Sequence, residues 1–210
     1  MSTIVVETFL TLDGVLQAPG ARDEDTEGGF THGGWQAPLF DEAMGEFVGE
    51  AMAHTEGLLL GRKTYDIFAG FWPKLTEDHP DYAFGQIFTD MPKYVATRTL
   101  TSADVDWENT ILLSEDIPAE VAELRAQPGG EIKVVGSGEL VQTLLEHNLV
   151  DRYRLMTFPV MLGTGKKLFA GGTVPRALEL VESRTTPAGA VITVYRPTGE
   201  PTYASFEPAH

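Results

Sequence analysis

Cysteine is absent from the chain, which excludes disulfides, thiolate metal sites and thiol nucleophiles together. Cations are scarce: 15 Lys and Arg stand against 31 Asp and Glu, a formal net charge of −16. Nucleic acids and anionic membranes call for a basic surface, so this balance argues against both as partners. No run of about 18 apolar residues is present, which removes a membrane-spanning helix. The opening MSTIVVETF lacks the basic region and long apolar run of a signal peptide, and a cytoplasmic protein is expected. The few histidines show no metal-ligand spacing, and none is an evident base for a serine nucleophile.

What is there fits one soluble globular domain: 210 residues, 42% apolar and 22% charged. The stretch EIKVVGSGELVQTLLEHNLV (131–150) organises the rest. It reads as a β-branched strand over 132–135, a turn at Gly136, Ser137 and Gly138, and an amphipathic helix carrying Leu140, Val141, Leu144, Leu145 and Leu149. A strand that stops at glycine and re-enters a helix leaves unpaired N–H groups at the positive end of the helix dipole, a ready anion site. Ser137 can cap that helix, and Glu139 and Leu140 add first-turn N–H groups. The same pattern also suits an ordinary strand–turn–helix junction. A second junction follows the buried run GLLL (57–60), where Gly61, Arg62, Lys63 and Thr64 lead into a helix at about 65–71. The cations Arg62, Lys63, Lys93, Arg98, Lys166 and Lys167 sit at strand ends or glycine turns, where an acidic protein would hold an anion.

Around these junctions the chain alternates regularly. Strands are expected at 3–12, 93–96, 111–113 and 151–160, helices at 39–55, 81–89 and 117–127, and a terminal hairpin pairs 177–184 with 190–196. Residues 197–210 read as a loose tail. Residues 17–38 form a long glycine-rich loop of the kind used as a lid. Its DEDTEG run (23–28) starts like a calcium loop, but Gly34 stands where the bidentate glutamate belongs. The loop is therefore read as solvated and acidic, with Phe30 and Trp35 as lid aromatics. GTGKK (163–167) lacks the upstream glycine and the hydroxyl of a P-loop, and GSG (136–138) lacks the flanking glycine of a nucleophile elbow. No GxGxxG opens the chain.

Taken in order, TLDGV (11–15), LLLGRKTYDIF (58–68), PKYVATRTL (92–100) and IKVVGSGELVQTLLEHNLVDRYRLMTFPVMLGTGKKLF (132–169) resemble the dihydrofolate reductase-like superfamily, in the branch of the riboflavin-biosynthesis reductase C-terminal domain. The resemblance covers nearly the whole chain to about Arg196. It implies a three-layer α/β/α sandwich around a mixed, mostly parallel sheet with a C-terminal antiparallel hairpin, forming one domain over 1–196. It implies an NADPH-dependent reductase that transfers hydride to a C=N or C=O group of a small pterin- or pyrimidine-like substrate, and a homodimer. Carried over by position, Gly61, Arg62, Lys63 and Thr64 would hold the adenine-side phosphates. Thr97, Arg98 and Thr99 would receive the 2′-phosphate, and Gly136, Ser137, Gly138, Glu139 and Leu140 would form the pyrophosphate turn. The arginine pair favours NADPH over NADH. Asp13, at the acidic strand-end position of the branch, or else Asp41 would supply or relay a proton; at the Asp13-Gly14 turn signal, Asp13 could equally hydrogen-bond the turn backbone. Two other readings stand beside this one: a nucleotide-binding module of the same fold without turnover, and a non-redox transferase or hydrolase acting on phosphorylated metabolites.

Overall fold

A computed structural model of the chain describes residues 1–169 and 173–206. Eight strands form one sheet: β1 (Thr3–Thr11), β2 (Thr55–Gly61), β3 (Lys93–Ala96), β4 (Thr110–Leu113), β5 (Glu131–Val135), β6 (Arg152–Phe158), β7 (Ala177–Thr185) and β8 (Val191–Gly199). They run in the order β4-β3-β2-β5-β1-β6-β8-β7. The first six are mutually parallel, β8 is antiparallel to β6, and β7 is antiparallel to β8. The helices are α1 (Glu42–Met52), α2 (Arg62–Phe71), α3 (Tyr82–Asp90), α4 (Ile117–Ala126) and α5 (Gly138–Glu146).

Strand alternation sorts the helices into two outer layers. Ile4, Val6 and Leu10 of β1 and Leu59 of β2 pack with Val121 and Leu124 of α4 and Leu140, Val141, Leu144 and Leu145 of α5. The opposite face of β2, Leu58 and Leu60, packs with Tyr65 of α2, Phe88 of α3 and Met52 of α1. The expected α/β/α sandwich with a mixed, mostly parallel sheet and a C-terminal hairpin is thus the observed architecture. No helix among the described residues is long and apolar enough to cross a membrane.

Element ends follow local chemistry. Asp41 caps α1 by accepting from the Met44 N–H at 2.9 Å, and Asp116 caps α4 at Ala119 N with Pro118 in its first turn. The helix read to Leu149 stops at Glu146, because Asn148 takes a left-handed turn (φ 56°); Leu149 still packs into the core. At the far end β8 extends to Gly199, past the expected hairpin limit of Arg196. Residues 201–206 have no regular structure, and 207–210 of the expected tail lie outside the described residues.

Lys93 corrects one sequence expectation. It stands at the amino end of β3, not at the carboxyl ends of the strands, and is fully buried. Its Nζ donates to the carbonyls of Phe88, Thr89 and Met91 at 2.8, 2.8 and 2.9 Å, closing the C-terminus of α3. The ammonium lies 4.4 Å from the Trp107 ring. Burial pushes its pKa down to about 8, which leaves it protonated at neutral pH.

The centre of the sheet also carries charge. Glu7 of β1 accepts from Lys133 Nζ of β5 at 2.8 Å and from Arg154 of β6 at 2.7 Å, and all three side chains are buried. Arg154 reaches on to Glu131 at 2.9 Å, which also takes Arg152 at 2.6 Å. Buried ions persist only when paired in this way.

Candidate cofactor site at the carboxyl edge of the sheet

Because six strands are parallel, their carboxyl ends share one edge. β2 leads into α2 on one face of the sheet, whereas its neighbour β5 leads into α5 on the other. Chain departures to opposite faces open a crevice between the two strands, the position where open α/β sheets take ligands. Both glycine junctions read from the sequence therefore meet there. The N-termini of α2 and α5 flank the crevice with their unpaired N–H groups.

Ser137 joins them. It takes the left-handed conformation (φ 56°, ψ 48°), uncommon for a non-glycine residue, and its side chain does not cap α5 as expected. Its Oγ instead accepts from the Gly61 N–H at 2.8 Å and donates to Thr64 Oγ1 at 2.9 Å. The fit is tight: a Cβ on Gly61 would meet Ser137 Oγ at 3.2 Å, and one on Gly136 would meet Thr64 Oγ1 at 3.2 Å as well as being strained by its positive φ of 55°. Gly138 opens α5, Glu139 is exposed in its first turn, and Leu140 buries its side chain in the core, leaving only its backbone facing the edge.

β3 ends beside β2 and brings the third expected element. Thr97 is buried, and its hydroxyl accepts from Thr99 N at 3.2 Å and Leu100 N at 3.0 Å. That turn leaves Arg98 exposed, with no hydrogen bond or ion pair to any described residue. Arg62 pairs with Asp66 one turn along α2 at 2.7 Å and donates to Thr99 Oγ1 at 3.2 Å. Lys63, in the first turn of α2, does not point at open solvent. Its Nζ lies 2.6 Å from Glu27 and 2.9 Å from Asp25, both in the long loop.

The two candidate proton-transfer carboxylates are braces. Asp13 follows β1 and accepts from Thr11 Oγ1 at 2.7 Å, Leu162 N at 3.2 Å and Gly163 N at 2.9 Å, with Lys167 Nζ 3.9 Å away. The Thr11 hydroxyl and the Gly163 and Leu162 N–H groups hold its pKa down at about 2. Asp41 accepts from Ala188 N at 2.8 Å as well as capping α1, and the Ala188 and Met44 N–H groups lower its pKa too. A proton donor near neutrality needs the opposite shift.

The loop over 17–38 departs from its sequence reading. Phe30 and Trp35 are buried anchors rather than lid faces: they pack with Val15, Met44 and Phe158, and Trp35 donates to Gln17 O at 2.8 Å. Asp25 is not solvated; its side chain is 10% exposed and bridges Lys63 and Lys166. Gln17, Asp25 and Glu27 had no local sequence signal beyond the acidic run, because their partners come from other segments.

A groove of about 850 Å³ lies at the opposite edge among Met1, Arg125, Asp151 and Arg152. It meets no helix N-terminus and no glycine junction, whereas the carboxyl edge has both, which makes that edge the candidate site.

Comparison with known proteins agrees with this geometry. The family model described as RibD C-terminal domain matches residues 2–192. An uncharacterized protein of Bacillus subtilis (strain 168), YyaP, is 28% identical over 200 residues, 93% of this chain and 95% of its own length. Among solved structures, a diaminohydroxyphosphoribosylaminopyrimidine deaminase/5-amino-6-(5-phosphoribosylamino)uracil reductase from Thermotoga maritima matches with TM-score 0.60 at 14% identity. That match covers 94% of this chain and 57% of the Thermotoga protein. Dihydrofolate reductase from Enterococcus faecalis, solved with NADP(H), matches with TM-score 0.57 at 13% identity, covering 93% of this chain and 96% of that one.

Proposed function

Because the chain belongs to the RibD C-terminal domain family, we propose that it is an NADPH-dependent reductase of a small pterin- or pyrimidine-like heterocycle. The observation that carries this reading is Ser137 fastening two helix N-termini together at adjacent strand ends, beside an Arg98 that has no partner among the described residues. The residues present suit the cofactor: closely packed glycines let backbone approach a diphosphate, and the helix ends supply N–H donors. Gly136, Ser137, Gly138 and the backbone of Glu139 and Leu140 would hold the pyrophosphate together with Gly61, Lys63 and Thr64. Arg98, with Arg62 beside it and Thr97 and Thr99 shaping the turn, would take the 2′-phosphate, where a planar guanidinium binds a dianion in two places. When bound, the reduced nicotinamide supplies the hydride for a C=N or C=O carbon of the substrate.

The protein's own contribution is positioning and exclusion of water. Asp13, ionised at neutral pH, holds the turn at Leu162 and Gly163 against the end of β1. It acts as a positioning residue, and the proton reaches the substrate from another source. The loop over 17–38 covers the edge and closes the site. The protein works as a homodimer through the β7 edge, where Leu180 and Val181 are 53% and 57% exposed. The reading is tested by titrating the protein with NADPH and NADH, following reduced-nicotinamide fluorescence. Tight, NADPH-selective binding is expected, followed by NADPH oxidation with a pterin or pyrimidine ribosyl compound. Equal or absent binding overturns it. Sedimentation checks the dimer.

A further inference from the structure

One cation of the proposed cofactor site already has anionic partners. Lys63 sits in the first turn of α2, where a bound diphosphate would draw it, yet its Nζ is held by Glu27 at 2.6 Å and Asp25 at 2.9 Å. Lys166, on the glycine turn after β6, meets the same two carboxylates, reaching Asp25 at 2.8 Å and also pairing with Glu27. The four side chains form a closed box of two positive and two negative groups. It is built from three segments: the loop, the start of α2 and the turn at 163–167. Burial alone would raise the pKa of Asp25, but hydrogen bonds from Lys166 and Lys63 outweigh it and bring the value down to about 2. The same two lysines lower the pKa of Glu27, so both carboxylates of the box are ionised at neutral pH.

The box ties this part of the loop to α2 and to the turn at 163–167 by charge. Behind it, Gln17 donates from Nε2 to the carbonyls of Asp25 and Glu27, both at 3.1 Å, and accepts from Lys166 N at 3.0 Å. Phe30 seats against Gly165, where a Cβ would approach its ring to 2.8 Å. Those contacts keep the base of the loop in place whatever the carboxylates do. A cleft of about 360 Å³ remains between the box, Phe30 and Gly165. Lys63 and Glu27 are 49% and 59% exposed, so their pair can open to solvent without unpacking the core.

Resting on the cofactor reading above, we infer that Glu27 and Asp25 are part of the cofactor site: they occupy Lys63 as an internal anion, and the incoming diphosphate displaces them. Glu27 and Asp25 together take two of the three N–H donors of Lys63. Cofactor binding thus costs the protein its pairs to Lys63 and loosens the Asp25 and Glu27 side chains with the Glu27 N–H bond to Asp25, while Gln17 keeps the base of the loop in place. Glu27 and Asp25 are positioning residues whose charge sets both the affinity for the diphosphate and the position of the loop.

The test uses the full-length protein with inorganic pyrophosphate and with NADPH, read by hydrogen exchange of the 23–29 segment and by binding titration. In the wild type, pyrophosphate should speed exchange there, because the Glu27 N–H now accepted by Asp25 Oδ1 at 3.0 Å is released. Glu27→Gln should exchange fast without any anion and bind pyrophosphate about two- to fivefold more tightly, the scale of one exposed ion pair. Lys63→Gln should abolish the response of the segment to pyrophosphate. A purely structural role for Glu27 predicts unchanged or weaker pyrophosphate binding in Glu27→Gln, and that result overturns the inference. If the wild type binds NADPH selectively while exchange in 23–29 stays constant, the displacement is wrong and the cofactor reading stands. Failure to bind either anion overturns both.

Discussion

Two charge clusters in this molecule are built from the same residue types and do opposite things. In the sheet centre, Glu7, Lys133, Arg154 and Glu131 join β1, β5 and β6, and the three ions nearest the core are at most 8% exposed. At the carboxyl edge, Asp25, Glu27, Lys63 and Lys166 join a loop, a helix start and a glycine turn, with side chains up to 59% exposed. Pair distances are alike, 2.7–2.9 Å in one and 2.6–2.9 Å for the measured pairs in the other. The difference lies in what can replace a partner. In the sheet nothing can, since neither water nor ligand reaches Glu7, and the cluster is a fixed part of the fold. At the edge water and anions compete, so the pairs are worth little and are open to exchange. Burial, not ion-pair geometry, separates a structural cluster from a responsive one.

The comparison breaks most visibly in the sheet. Glu7→Ala leaves Lys133 unpaired in the interior and Arg154 with Glu131 alone, and should lower unfolding free energy by about 3–5 kcal/mol in denaturant titration. A loss below about 1 kcal/mol, the scale of exposed pairs, would erase the distinction between the clusters. Next in size is Arg98→Ala, which leaves the fold untouched because Arg98 has no partner among the described residues. Loss of a charge-assisted contact of about 1.5–3 kcal/mol should weaken NADPH roughly 10- to 100-fold while NADH is little changed, measured by fluorescence titration. Equal losses for both would remove the 2′-phosphate assignment. Ser137→Ala deprives the Gly61 N–H of its acceptor and should cost about 1–2 kcal/mol of stability by thermal or denaturant melting. Cofactor affinity should fall with it, since both helix starts lose their common fastening.

The smallest effect is that of acid. Asp13 and Asp25 both have pKa values lowered from 3.8 to about 2, by the Thr11 hydroxyl with backbone N–H groups and by Lys166 with Lys63, respectively. A carboxylate depressed on folding stabilises the native state fully above its unfolded value and loses that contribution as pH falls through the folded one. Stability should therefore be level in this respect above about pH 4 and decline toward pH 2. Asp25→Asn should flatten part of that decline, and an unchanged profile would mean the edge cluster carries no ionic stabilisation at all.

Much of this was legible in the residues. The strand at 93–96 is the observed β3, both glycine junctions are strand–helix junctions, and the order of motifs gave the sandwich and its hairpin. Those features are local: β-branched runs, glycine at a chain reversal and apolar spacing along a helix act over a few residues. The misreadings share the opposite property. Lys93 looked like one more cation at a strand end, but only the packing of α3 shows that it closes a helix terminus. The acidic run at 23–28 looked solvated because Lys63 and Lys166 lie far along the chain.

By itself, then, the sequence determined the alternation of strands and helices, the two glycine turns between strand and helix, and the shortage of cations that makes each one near those turns informative. Tertiary structure alone decided that these turns are neighbours, because strand order places β5 beside β2 and so brings Ser137 onto Gly61 across 76 residues. It also decided that Asp13 is a held carboxylate and that Lys63 has an anion of its own. Glu7 finds Arg154 across 147 residues for the same reason. Periodicity fixes which face of an element is apolar, but hydrogen bonds and ion pairs between elements depend on register and sheet order, which arise only when the whole core packs.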